Sequence, residues 1–420
     1  MSQSRRNFLG ALPGLAAAPI SWAAFAQAAR SAPVAKEGQE QFWQLVRQQF
    51  QLEPGLVYLN AANICPASRL VMDRYLHLLR DFHSNPSFQN RDKYKPLQEQ
   101  IRSKLAAMLA AKSDEIAITR NTSEGTNMIV AGLDLQRGDE IIITDHNHPS
   151  NNDAWKVRAR RHGLEVKVVP VTIPARSKQD LIDGFEKAIT PRTKVVAFTH
   201  LTSTTGILYP AREITEIAHR RGAWVHLDGA QTFGLLRVNL RDIGCDSYSG
   251  SAHKWMMGPL EAGVLFVRGE RIGNVWPSVV TAGWSEDLKG ARKLENLGQR
   301  DDPRVAALEP AIDFYNLVGA ERIENRTQQL AASLKQGLAK LPNLRLKTNM
   351  ESSLSSGVVK FQLKNKDTKA CYDRIWERHR IAMAITPSGD SEGLRFSPHI
   401  YNNEEDVERA IAAVREIAAG

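Results

Sequence analysis

Cysteine is scarce. The 420 residues hold three, Cys65, Cys245 and Cys371, far apart and with no C-x-x-C pair. Neither a disulfide framework nor a zinc site follows, and no metal-ligating set is expected. Three is an odd number, so an oxidising compartment would leave at least one thiol unpaired. No internal repeat or low-complexity tract is visible, which excludes solenoids and long disordered tails. Beyond the N-terminus no segment offers about 18 uninterrupted apolar residues, so no membrane contact is expected of the mature chain. Charge of one sign is not gathered either. The net charge is +9, but the basic residues are scattered among acids along amphipathic stretches, without the basic stripe and interleaved aromatics of a nucleic-acid binder. Solvated helix faces account for them, and the excess favours small anionic ligands.

What remains is ordinary globular composition, 42% apolar and 24% charged, in a chain long enough for one large domain and one smaller one. The N-terminus reads as an address. Ser4-Arg5-Arg6-Asn7-Phe8-Leu9 resembles a twin-arginine export signal, followed by a weakly apolar, Ala-rich run to residue 26, with Ala24-Phe25-Ala26 as a cleavage site. A retained anchor is the alternative, against which Gly10, Pro13, Gly14, Pro19 and Ser21 interrupt the run. The expectation is a signal peptide over 1–28 and a periplasmic or otherwise exported protein. A helical segment over 36–112, a large domain over 113–300 and a small C-terminal domain over 301–420 complete the division.

From residue 113 short β-rich runs alternate with helical patterns. Strands are expected at Glu115 to Thr119, Glu140 to Thr144, Val166 to Val169, Val195 to Thr199, Trp224 to Leu227 and Gly263 to Val267. Helices are expected between them, as at Ser123 to Leu133 and Arg212 to Arg221. That alternation predicts an α/β fold with a mostly parallel sheet covered on both faces, whose ligands sit beyond the carboxyl ends of strands. After about residue 300 a long helix, a strand at Gly357 to Leu363 and a last helix from Glu404 predict a smaller α+β unit.

Three stretches at strand ends carry the chemistry: Thr122-Ser123-Glu124-Gly125, His226-Leu227-Asp228-Gly229-Ala230-Gln231, and Ser251-Ala252-His253-Lys254-Trp255. A carboxylate and a lysine in neighbouring turns are what pyridoxal 5'-phosphate requires, a partner for the pyridinium nitrogen and a Schiff-base amine. Alone, Asp228 is an ordinary strand-end acid and Lys254 a surface lysine. Together, with Lys254 set among small residues in a pocket that would lower its pKa, they point to covalent catalysis. The Thr122 to Gly125 turn opens an apolar-periodic helix whose amides and hydroxyls can cradle phosphate, although a simple N-cap would look the same locally.

With these residues in place, the chain from about Val57 to its end resembles the class V aminotransferases, the branch of fold-type I pyridoxal-phosphate enzymes that includes cysteine desulfurases and isopenicillin N epimerase-like proteins. The resemblance implies that fold and cofactor, and an amino acid or amino-acid derivative as substrate. Lys254 would be the Schiff-base lysine, Asp228 the pyridinium partner, Gln231 a donor to the ring hydroxyl, and Ser251 and His253 phosphate contacts. His148, in Asn147-His148-Pro149-Ser150, would stack on the ring, with His146 as a nearby rival. Arg395, in Leu394-Arg395-Phe396-Ser397-Pro398, would grip the substrate carboxylate. A homodimer is implied as well.

The match departs in three places. Ala384 to Gly393 holds no cysteine where desulfurases carry theirs, so sulfur transfer by that route is not expected, and Cys65 reads as a small buried thiol. Ser203 stands where desulfurases use asparagine, which is closer to the epimerase-like branch. Gln299 replaces a threonine that reaches the partner's phosphate, with Thr281 as another candidate for that contact. In the expected mechanism the freed Lys254 acts as acid or base at Cα while Arg395 orients the bond that breaks. Transamination is read first, with epimerisation or racemisation, then elimination, as alternatives, and a non-catalytic anion binder last.

Overall fold

The structure, a computed structural model, describes residues 22–31, 39–282, 284 and 289–419. The twin-arginine stretch therefore lies outside the described residues. Its downstream flank does not: Trp22–Ser31 is a helix, and within it Phe25 is fully buried, its ring stacked at 5.6 Å on Phe314. The Ala24-Phe25-Ala26 stretch thus sits in a helix with Phe25 and Ala26 buried.

The strands in chain order are β1 (Val57–Tyr58), β2 (Ile116–Thr119), β3 (Glu140–Thr144), β4 (Glu165–Val169), β5 (Thr193–Thr199), β6 (Trp224–Asp228), β7 (Ser247–Ser251), β8 (Gly263–Val267), β9 (Leu344–Leu346), β10 (Val359–Leu363), β11 (Ile381–Ala382), β12 (Ala384–Thr386) and β13 (Gly393–Phe396). Seven form one sheet in the order β2-β8-β7-β6-β5-β3-β4. Neighbours from β4 to β7 run parallel, and β8 runs antiparallel to both strands beside it. The expected mostly parallel α/β sheet is what forms.

Strand alternation explains why both faces are covered. Ile116 and Ile118 of β2, Ile142 of β3 and Val196 and Phe198 of β5 join one buried cluster. Ala117, Ile141, Ile143, Val195 and Ala197 join another on the opposite face. Helices Thr122–Gly132 and Pro149–His162 pack on this framework. The first approaches so closely that a Cβ at Gly125 would lie 2.8 Å from Ser249 Oγ. The glycine is there for helix-to-sheet contact.

β7 was not legible as a strand. Its Ser247-Tyr248-Ser249-Gly250-Ser251 has no branched aliphatic residue, yet all five are buried. Two of the three serine hydroxyls are satisfied from neighbouring elements, Ser247 Oγ accepting from Trp224 Nε1 at 2.9 Å and Ser251 Oγ from the Thr122 amide at 2.8 Å, while Ser249 Oγ has no partner. Buried polar groups so paired carry little penalty.

The smaller sheet has the order β12-β13-β10-β9. Val359, Phe361, Leu363, Leu394 and Phe396 face a cluster with Leu330, Leu334 and Leu338 from helix Ala320–Ala339 and Val407, Ala410 and Val414 from helix Glu404–Ala419. The short β1 pairs with β11 in parallel, which ties residues 57 and 58 to this half. Among the described residues no helix is long and apolar enough to cross a membrane.

Candidate active site

Because β3, β5, β6 and β7 are parallel and β2 shares their direction, the turns that follow them open on one edge of the sheet. That edge gathers the three stretches singled out in the sequence.

Asp228 is the last residue of β6 and only 2% exposed. Its Oδ1 accepts from the Ala230 amide at 3.0 Å and its Oδ2 from Asn151 Nδ2 at 3.4 Å. Lys254 follows β7, and its ε-amine makes no hydrogen bond or ion pair with any described residue. Burial pulls its pKa from 10.5 to about 8, helped by Arg395 and opposed by the charge of Asp228 and by Cys65. The two groups sense each other across the pocket, as one ring held between an acid and an amine requires. Capture of pyridoxal phosphate by the apoprotein should consequently speed up as pH rises through about 8, where the amine loses its proton, and level off above it. Stopped-flow absorbance checks this; an inflection near 10 would contradict the buried amine.

His148 is the N-cap of helix Pro149–His162, its Nδ1 accepting from the Ser150 amide. The residue is exposed at the surface, yet the protein atoms around its ring partly desolvate it, and this, with Lys254, keeps it toward the neutral form. His146, the rival, is buried, with Nδ1 3.2 Å from Thr205 Oγ1. Burial and Lys254 hold His253 at about 4, and its Nδ1 is enclosed without a partner.

The phosphate cradle needs correction. Asn121, not Thr122, caps helix Thr122–Gly132: its Oδ1 accepts from the Glu124 amide at 2.9 Å, and its carbonyl accepts from the Gly125 amide. Glu124 turns its carboxylate to Arg120. Glu124 and Gly125 are therefore occupied by the cap and the helix. The Ser123 amide, in the first turn where no intrahelical acceptor exists, stays at the entrance with the Thr122 and Ser251 hydroxyls, 2.7 Å apart.

Gln231 is held by two hydrogen bonds. Its Nε2 donates to the Ala62 carbonyl at 2.9 Å and its Oε1 accepts from Trp255 Nε1 at 2.7 Å. One N–H is left for a ring hydroxyl. Ser203 presents its carbonyl to Arg395 Nη1 at 2.7 Å, while Arg395 Nη2 donates to Asn60 Oδ1 at 2.8 Å. No carboxylate pairs with this arginine, its Nε is buried without a partner, and burial lowers its pKa to about 10. A buried cation with only neutral partners is a site for an anion.

Asn60 and Asn151 escaped sequence reasoning. The signal available was their position, in the short extended piece after Val57 and three residues past His148. Cys65 is buried, its amide donating to the His253 carbonyl at 2.7 Å and its Sγ 3.7 Å from Tyr401 Oη. Burial pushes the thiol up, so it rests protonated. Gln299 accepts from Arg91 at 2.7 Å and Thr281 donates to Asn296 at 2.8 Å, both away from the pocket within one chain.

The residues fit pyridoxal phosphate. The charge of the buried Asp228 acts on the Lys254 amine, and His253 Nδ1, Asn151 Oδ1, Thr204 Oγ1 and Arg395 Nε, in or next to the segments described above, are among the atoms buried without a partner. A buried polar atom with no protein partner can take one from a ligand.

Comparison with known proteins agrees. The family profile described as Aminotransferase class-V matches residues 57–410. An isopenicillin N epimerase of Amycolatopsis lactamdurans is 30% identical over 393 residues, spanning 90% of this chain and 98% of the relative. A probable cysteine desulfurase of Methanothermobacter thermautotrophicus is 27% identical over 406 residues, spanning 89% and 97%. Among solved structures, the apo cysteine desulfurase of Thermococcus onnurineus superposes with a TM-score of 0.81 at 24% identity, over 90% of this chain and 98% of that one. The last likeness bears on the fold.

Proposed function

The chain belongs to the aminotransferase class-V family, whose cofactor is pyridoxal 5'-phosphate, and from that premise we propose that it moves a proton at the α-carbon of an amino acid or amino-acid derivative, with epimerisation as the net reaction. The observation that carries the reading is the unbonded Lys254 amine, poised near pH 8 between Asp228 and Arg395. Isopenicillin N epimerases of Amycolatopsis lactamdurans and Streptomyces clavuligerus, 30% and 28% identical to this chain, support it. So does the lack of cysteine between Ala384 and Gly393.

When bound, the cofactor supplies an electron sink for the bond broken at Cα. Lys254 would hold it covalently, Asp228 would keep its ring nitrogen protonated, and Ser123, Thr122, Ser251 and His253 would receive its phosphate. His148 would stack on its ring. Arg395 fixes the substrate carboxylate, and with it which Cα bond lies in line with Lys254. Transamination, first in the sequence reading, remains the second one, favoured by the family's own description.

Cα exchange in deuterated solvent, run on an amino-acid panel with and without keto-acid acceptors, separates them. Exchange and loss of optical rotation independent of acceptor is the expected result. Strict dependence on a keto acid would replace epimerisation by transamination, and ammonia with a keto acid by elimination.

Two further parts of the reading concern the whole protein. Export through the twin-arginine pathway rests on Arg5 and Arg6; replacing both by lysine should hold the protein in the cytoplasm, and unchanged export would refute it. A homodimer is supported by exposed Leu260, Val279 and Val280 beside Gln299 and Thr281, and sedimentation of an active monomer would refute that.

A further inference from the structure

The smaller sheet has two unlike faces. The one turned to helices Ala320–Ala339 and Glu404–Ala419 is aliphatic and aromatic. The other carries cations in a row. Lys360 of β10 stands directly opposite Arg395 of β13. Lys347, one residue past β9, donates its amide to the Lys360 carbonyl at 2.8 Å and so continues the row on the other side. Cross-strand neighbours on one face lie about 5 Å apart, so the three positions span roughly 10 Å of sheet.

This face is turned toward the active-site edge of the large sheet. Arg395 reaches the Ser203 carbonyl, and Thr348, between strands, donates to the Thr205 carbonyl at 2.6 Å while accepting from the Lys360 amide.

Like charges opposite one another destabilise a sheet, and buried charges without counterions cost more. Yet Lys360 is 0% and Lys347 3% exposed. Every hydrogen-bond partner of the three heads is neutral. Lys360 Nζ donates to Thr386 Oγ1 and the Gly393 carbonyl, both at 2.8 Å, and Lys347 Nζ to the Asp390 carbonyl at 2.9 Å. Of the acids that act on these lysines, Glu392 and Asp390, neither forms an ion pair with them, and Glu392 accepts from Thr368 Oγ1. Burial first, then Arg395 and Lys347, lower Lys360 to about 7, against a smaller opposing pull from Glu392.

We propose that Lys360 and Lys347 form a second anion subsite next to Arg395, so that the substrate is an amino acid whose side chain ends in a carboxylate. The inference rests on the preceding assignment of Arg395 to the α-carboxylate. The side-chain carboxylate takes the place of Thr386 and the main-chain carbonyls now held by the two ammonium groups. The oxygens these two ammonium groups now hold lie at both ends of the segment 386–393 and, at Asp390, within it.

The test uses the holoenzyme and follows perturbation of cofactor absorbance by L-glutamate and L-glutamine, which differ in side-chain charge and hardly in shape. Glutamate should act at a concentration at least about ten-fold below glutamine, as a charge-assisted hydrogen bond gives. Lys360→Met and Lys347→Met should each erase most of that preference, and Lys360→Arg should keep it. Equal responses in the unaltered enzyme, or a preference that survives both methionine variants, would overturn the proposal. If lysines 347 and 360 merely brace the loop, their loss moves both amino acids alike, which also overturns it. Calorimetric titration with glutarate against valerate reads the subsite without the reaction. If neither amino acid perturbs the cofactor, the assigned chemistry fails, whereas glutarate binding that depends on Lys360 still upholds the subsite and equal binding of both acids rejects it. Should Lys360→Met not fold, Lys347→Met gives the same comparison.

Discussion

Lys254→Ala is expected to lower turnover by about four orders of magnitude, the upper end of what one acid or base contributes, and to abolish the pyridoxyl adduct that borohydride fixes on the unaltered chain. The choice of lysine does not follow from pKa. Lys360 and Lys335 are also buried and pulled down, to about 7 and about 8. What separates them is bonding. Lys335 Nζ donates to the Asn349 and Met350 carbonyls and to Ser355 Oγ, and Lys360 Nζ to two oxygens. Lys254 has no such partner, so its amine alone is free to form a bond without first breaking others. For the same reason the alanine variant should fold with unchanged or slightly higher stability, because a desolvated amine is removed and no hydrogen bond is lost. Turnover within ten-fold of the unaltered enzyme, or an adduct mapped to Lys335 or Lys360, would dispose of the assignment.

The parts of the molecule that were legible in the sequence are those where a local pattern and a global role coincide. The aliphatic strands of the large sheet announce themselves because burial on both faces demands branched residues throughout. β7 does not, since the strand leading to Lys254 is built of serine and glycine that pair with Trp224 and Thr122 and let helix Thr122–Gly132 come close. The acid and the lysine could be read from spacing, but the groups that orient them could not. Asn151 and Asn60 act through single side-chain hydrogen bonds made across 77 and 335 residues, and no periodicity encodes such a contact. The part Asn121 plays in the Thr122 to Gly125 turn was not legible either. A cap at Asn121 turns two apparent phosphate donors into ordinary helix bonds. The cation row on the smaller sheet likewise needs strand register, which brings residues 347, 360 and 395 side by side.

Asp228→Asn should cost about 10²–10³ in turnover, the scale of one well-placed group acting on charge developed in a reaction. The amide is nearly isosteric and can still accept from the Ala230 amide. Its nitrogen would then face Asn151, whose Oδ1 is buried without a partner and can accept once that side chain turns over. The fold should therefore persist, and the deficit is electrostatic. A second readout follows with a definite sign. The negative charge of Asp228 raises the pKa of Lys254 against burial and Arg395; with the charge gone, the amine should lose its proton at lower pH. The inflection for cofactor capture by the apoprotein should move below about 8 even as the bound cofactor is held less firmly. A purely structural role for Asp228 would lower stability and leave that inflection where it was. Turnover within ten-fold together with an unmoved inflection would show that acid and amine do not share one ring, and the pairing on which the reaction depends would have to be sought elsewhere.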